Sequence, residues 1–146
     1  MNAVRSVARH SFLGAASAVT LCLAGLSGAV LSDEIKVKVS GDQEIPPVTT
    51  PASGTGIFIV NPDRSISGSV TVTGLTVTAA HIHDAPAGKN GPIVVPLTKI
   101  SETTWQVPAG AKLTDGQYAS YKAGDLYFNM HSAAYKAGEI RGQIKP

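Results

Sequence analysis

From residue 33 onward, Gly, Pro, Asn and Asp recur at such short intervals that only short strands and tight turns fit between them. The run "EIKVKVS" sets Ile35, Val37 and Val39 against Lys36 and Lys38, and this period of two marks a half-buried strand. "TGIFIV" and "ISGSVTV" flank Asn61-Pro62-Asp63, whose turn chemistry joins two strands. "GLTVTAAHIH", "PIVVPL", "TTWQV", "DLYFNMH" and "GEIRGQI" supply further β-type runs, rich in branched and aromatic residues. Residues 41–54 contain three prolines and read as a loop. One helix is predicted, opened by a capping box of Thr114 and Gln117 and stopped by Gly124. "YKAGDL" and "YKAGEI" read as one device used twice, a glycine turn leading into a strand. About eight short strands at this spacing predict an all-β antiparallel sandwich or Greek-key barrel with one short helix.

The first thirty residues have a different character. "MNAVRSVARHSF" carries Arg5 and Arg9 and no acid, and "LGAASAVTLCLAGLSGAVL" follows without a charge. A basic start, an apolar run and a small-residue end describe a secretory signal peptide over residues 1–29, cleaved near Ala29 or at Ser32, with an uncleaved membrane anchor as the alternative because the apolar run approaches spanning length. The expected product is a secreted or periplasmic domain over 33–146 with no membrane span after cleavage. Its Lys plus Arg falls from 12 to 10 against 10 acids, because only Arg5 and Arg9 leave, so the formal net charge drops from +2 to 0. A neutral chain without a basic cluster argues against nucleic acid as a partner. The single cysteine, Cys22, lies in the leader, so the exported domain has neither a disulfide nor a thiolate ligand.

Three histidines remain after the leader: His81 and His83 in "AHIHDAPAGKNGPIVVPL", and His131 in "YFNMHSAAY". On a strand, side chains two apart share a face, which makes His81 and His83 neighbours. His131 reaches them only if the fold pairs its strand with theirs. Three neutral imidazoles suit Cu(II) or Zn(II), with copper generally the tighter. The bland reading is three locally hydrogen-bonded rings. Parity complicates the first strand, because the histidines share register with Leu75, Val77 and Ala79. Either a bulge near Ala79-Ala80 reverses the face, or the rings point inward at the end of the sandwich. On the second strand Leu126, Phe128 and Met130 form the apolar set, while Tyr127, Asn129 and His131 lie opposite, and Met130 reads as core. Asp84 serves as an acceptor for an imidazole or caps its turn. Glu139 and Arg141 share a face and are expected to form an ion pair. No G-x-S-x-G turn supports a hydrolase, and "GKNGP" lacks the Lys-Ser/Thr and helix of a phosphate cradle.

These pieces, "AHIHDAPAGKNGPIVVPL", "GDLYFNMHS" and "GEIRGQI", occur in the order seen in the CHRD domain, the repeat first described in chordin, and the resemblance covers nearly all of residues 33–145. Two departures are Asp84, where the family often has glycine, and Ala137, where it often has proline. The resemblance implies an immunoglobulin-like β-sandwich, in bacteria often a single exported domain. A looser likeness to Cu,Zn superoxide dismutases, which hold copper through an H-x-H and a later histidine, implies His81, His83 and His131 as copper ligands. The dismutase's disulfide and zinc-loop histidines have no counterparts, which leaves one metal ion. The expected function is thus an exported copper-binding domain for storage, delivery or buffering, with zinc as the other candidate metal. Asp84 and Asn129 would steady the ligands, and a homodimer or another exported protein is a candidate partner. The alternatives are a dismutase-like copper enzyme, with Arg141 steering an anion, and a metal-free adhesion or interaction module.

Overall fold

Alternation along the strands decides which face each residue joins. In the computed structural model, which describes residues 32–146, the chain forms nine strands and one α-helix. The expected leader and Cys22 lie outside the described residues. The strands are β1 (Asp33–Ser40), β2 (Ser53–Val60), β3 (Ile66–Thr73), β4 (Ala79–Asp84), β5 (Ile93–Pro96), β6 (Thr98–Lys99), β7 (Thr104–Gln106), β8 (Leu126–His131) and β9 (Ile140–Gln143), and α1 spans Asp115–Ala123. They lie in the order β5-β4-β8-β9-β1-β2-β3-β7-β6, and every pairing is antiparallel. The outermost strands, β5 and β6, are separated in sequence by Leu97 alone. The two edges of the sheet therefore lie side by side, and the predicted sandwich is one sheet curled almost into a barrel. Such closure leaves little exposed strand edge.

The interior is apolar and continuous. Val37, Val39, Phe58, Val70, Val72, Ile82, Phe128, Met130 and Ile140 are all buried in one cluster. Phe58 on β2 meets Phe128 on β8 edge to face at 6.0 Å, although β9 and β1 lie between them in the sheet. Burying each such side chain contributes about 1.5–3 kcal/mol. Trp105 is also part of this core. The helix begins and ends where expected, with Thr114 and Gln117 in a reciprocal capping box and Gly124 at φ 78°. "YKAGDL" and "YKAGEI" do lead into strands, β8 at Leu126 and β9 at Ile140.

Two expectations are corrected. Leu75 and Val77 are not on the histidine strand: residues 74–78 are bent and irregular, and β4 starts at Ala79. The irregular segment resets the parity, so Ala80 and Ile82 enter the core and His81 and His83 point to the opposite face. Glu139 and Arg141 form no ion pair. Glu139 instead accepts hydrogen bonds from Ser132 and Thr50.

All six residues of β8 are buried, which a sheet with one wet face would not allow. Loop residues cover its outer side. Glu44, from the proline-rich loop, accepts a hydrogen bond from the Asn129 amide, and Thr50 reaches Glu139. Glu44, Asn129, Ser132, Glu139 and Arg141 are each at most 8 % exposed, so the outer face carries a buried polar layer. Most of these groups are hydrogen-bonded within the layer, as burial of polar atoms requires. Among the described residues no helix is long and apolar enough to cross a membrane.

Candidate metal centre

Strand pairing builds the cluster. On β4 and β8, Ala79 lies opposite His131 and His81 opposite Asn129, so His131 sits one diagonal step from His81 on the same face. Diagonal neighbours across antiparallel strands are within reach of long and aromatic side chains. The ring centroids of His81 and His131 are 4.9 Å apart, those of His81 and His83 5.6 Å, and those of His83 and His131 6.0 Å. One nitrogen from each ring lies within 4.8 Å of the others. His131 is the most enclosed at 9 % exposure, while His81 and His83 are partly exposed.

Hydrogen bonds to main-chain carbonyls decide where the protons sit. His83 Nδ1 lies 2.9 Å from the Gly91 carbonyl and His131 Nδ1 lies 2.9 Å from the Lys136 carbonyl. A carbonyl only accepts, so both Nδ1 atoms carry protons. In the neutral rings each Nε2 then presents a lone pair. His131 Nε2 uses its pair to accept from His81 Nδ1–H at 3.0 Å. His83 Nε2 is buried and, among the described residues, has no hydrogen-bond partner. An orphaned buried acceptor is costly, on the order of 1–3 kcal/mol.

The rings are also biased toward neutrality. Burial holds the His81 pKa below the usual imidazole range, and the neighbouring His131 and His83 push the same way. Burial likewise lowers His83; the Gly91 hydrogen bond opposes this, and the His131 and Arg141 charges add to it. Neutral imidazole is the form that binds metal.

The residues fit a metal. Nε2 of His83 and His131 are aimed by carbonyl partners, an arrangement common around metal-binding histidines. His81 completes the set once its proton moves from Nδ1 to Nε2. The carbonyls of Gly91 and Lys136 do the steadying expected of Asp84 and Asn129. Ala80 and Ile82, the alternate neighbours of Asp84 on β4, face the core, and among the described residues its carboxylate bonds to no imidazole. The Asn129 amide is engaged with Glu44 and, at 3.2 Å, with the Ile140 carbonyl. Arg141 is 1 % exposed, with its guanidinium packed 3.4 Å above the Tyr127 ring. Tyr127 and Gly91 belong to the site although the sequence reading passed them over. Tyr127 stacks on His83 at 5.1 Å and accepts the Gly91 N–H at 3.1 Å.

The fold and site together define a nearly barrel-shaped all-β domain carrying three convergent imidazoles on its outer sheet face. The CHRD domain profile matches residues 35–144, and the chain belongs to the CHRD domain family. No curated protein and no solved structure matches it.

Proposed function

We propose that this chain is an exported copper-binding domain, which holds one metal ion through His81, His83 and His131 and serves copper storage, delivery or buffering. The observation that carries the reading is the buried, partnerless Nε2 of His83 beside two further imidazole nitrogens. A metal would satisfy that lone pair, and nitrogen sites favour copper over zinc at equal availability. When bound, the ion supplies charge and a Lewis-acid or one-electron centre; the protein supplies three neutral donors with two tautomers already set. The basic-then-apolar leader over 1–29 supports export, and the absence of cysteine from 33–146 leaves no thiolate to compete with the histidines as donors.

The test is elemental analysis and Cu(II) titration of protein lacking residues 1–29, followed by electron paramagnetic resonance. The reading expects one equivalent of copper with nitrogen hyperfine structure, lost in His131→Ala. Uptake no greater than that of a variant lacking all three histidines would refute it.

A further inference from the structure

One column of side chains beside the imidazoles is left unused by that reading. Tyr127 lies on β8, between β4 and β9. From β4, the His83 ring stacks on it at 14°. From β9, the Arg141 guanidinium lies 3.4 Å from the Tyr127 ring centroid. The tyrosine is pinned by its hydroxyl, which accepts from Gly91 N–H, while the Gly91 carbonyl accepts from His83 Nδ1–H. A closed loop of contacts thus ties the phenol ring, Gly91 and the imidazole together, and the guanidinium packs on that phenol ring.

The charge on this column is poorly compensated. Among the described residues Arg141 bonds only to neutral side-chain amides, those of Asn90 and Gln143, each at 3.3 Å. Among the described residues no carboxylate forms an ion pair with it. Glu44 is a buried acid that interacts with it electrostatically, but its carboxylate is hydrogen-bonded to Asn129. Arginine does not lose its proton in proteins, so the positive charge is permanent. Packing alone does not require a cation here, because an uncharged side chain would cover the Tyr127 ring without the desolvation cost.

Resting on the three-histidine reading, we propose that Arg141, acting through the Tyr127 ring, is a positioning residue that fixes His83 and biases a bound copper toward its lower charge, Cu(I). A fixed cation one ring away from a ligand disfavours the extra positive charge of Cu(II) more than it disfavours Cu(I). The column also sits in a buried layer, where screening by salt is weak. The effect is on the ratio of Cu(I) to Cu(II) affinity, not on the number of ligands.

The test measures Cu(I) and Cu(II) affinities by competition with chelators in wild type, Arg141→Gln, Arg141→Lys and Glu44→Gln. Arg141→Gln is expected to lower the Cu(I):Cu(II) affinity ratio about tenfold. For a one-electron couple this is a fall in reduction potential of about 59 mV. Arg141→Lys, which keeps the charge, restores most of the ratio. Glu44→Gln removes the buried acid that interacts electrostatically with Arg141 and is expected to move the ratio the opposite way, so it tests the electrostatic argument even if Arg141→Gln does not fold. Copper bound by wild type with the same ratio in every folded variant would overturn the role of Arg141 and leave the three-histidine reading standing. No copper uptake by wild type would overturn both.

Discussion

Gly91→Ala is the substitution whose effect on the metal centre follows most directly from the coordinates. A Cβ at position 91 would lie 2.6 Å from the Asp84 carbonyl carbon and 2.8 Å from Ala85 Cβ, with the Asp84 oxygen closer still. Non-bonded carbons rest about 3.5–4.0 Å apart, so the loop must retreat by about 1 Å. The obstruction is mainly main chain and cannot swing aside. Retreat breaks the Gly91 N–H bond to Tyr127 and carries the Gly91 carbonyl away from His83 Nδ1, now 2.9 Å distant. Two lost hydrogen bonds destabilise the fold by about 2 kcal/mol. Loss of the partner that orients a ligating histidine lowers metal affinity about 10–100-fold. The control is Gly88→Ala in the same loop, where an added Cβ meets nothing within 4 Å but the backbone sits at φ 81°. It costs roughly 1–2 kcal/mol through backbone strain and leaves Gly91 in place. Urea unfolding and chelator competition on both variants separate the effects: both lose stability, and only Gly91→Ala loses metal. Full affinity in a folded Gly91→Ala protein, or an equal loss in Gly88→Ala, would refute the argument.

Other expectations follow from the same structure. Phe128→Ala removes a fully buried ring that meets Phe58 at 6.0 Å, and should lower unfolding free energy by about 3–5 kcal/mol in urea. Thr114→Ala deletes the Oγ1 that accepts the Gln117 N–H, leaves the reciprocal bond from its own backbone N–H to Gln117 Oε1, and should cost about 1 kcal/mol, read from the shift in urea midpoint at unchanged slope. Metal-free protein should lose stability on mild acidification. His81 and His83 have depressed pKa values in the fold and about 6.5 when unfolded, so the unfolded chain binds more protons. Their contribution is complete above the unfolded value and is lost as pH falls through the folded values. The urea midpoint should therefore drop across that interval in wild type and much less in the His81→Ala, His83→Ala double variant.

Local chemistry made much of this fold legible. On β8 the alternation of Leu126, Phe128 and Met130 against Tyr127, Asn129 and His131 matches the observed faces, because a regular strand has no freedom to do otherwise. The capping box and Gly124 bounded the helix for the same reason. Periodicity failed at residues 74–78, where an irregular segment opened by Gly74 at φ 76° resets the count before β4. It also failed for the polar layer. Nothing in the strand pattern marks Glu44, Glu139 and Arg141 as buried, because the loops that bury them return from distant parts of the chain. The histidine pair on β4 was visible as H-x-H. Its meeting with His131 depended on β4 pairing with β8, a contact about fifty residues apart that spacing cannot announce. The carbonyls that set the tautomers belong to Gly91 and Lys136, and no side-chain pattern marks a main-chain acceptor.

The central claim is that three imidazoles from two strands meet on one ion. X-ray absorption of the copper-loaded domain measures this directly, since it counts the scatterers around the metal. The account predicts three imidazole nitrogens at about 2.0–2.1 Å, the range usual for histidine on such metals, and a fall to two in His131→Ala. A site with fewer than three imidazoles, or one unchanged by His131→Ala, would contradict it.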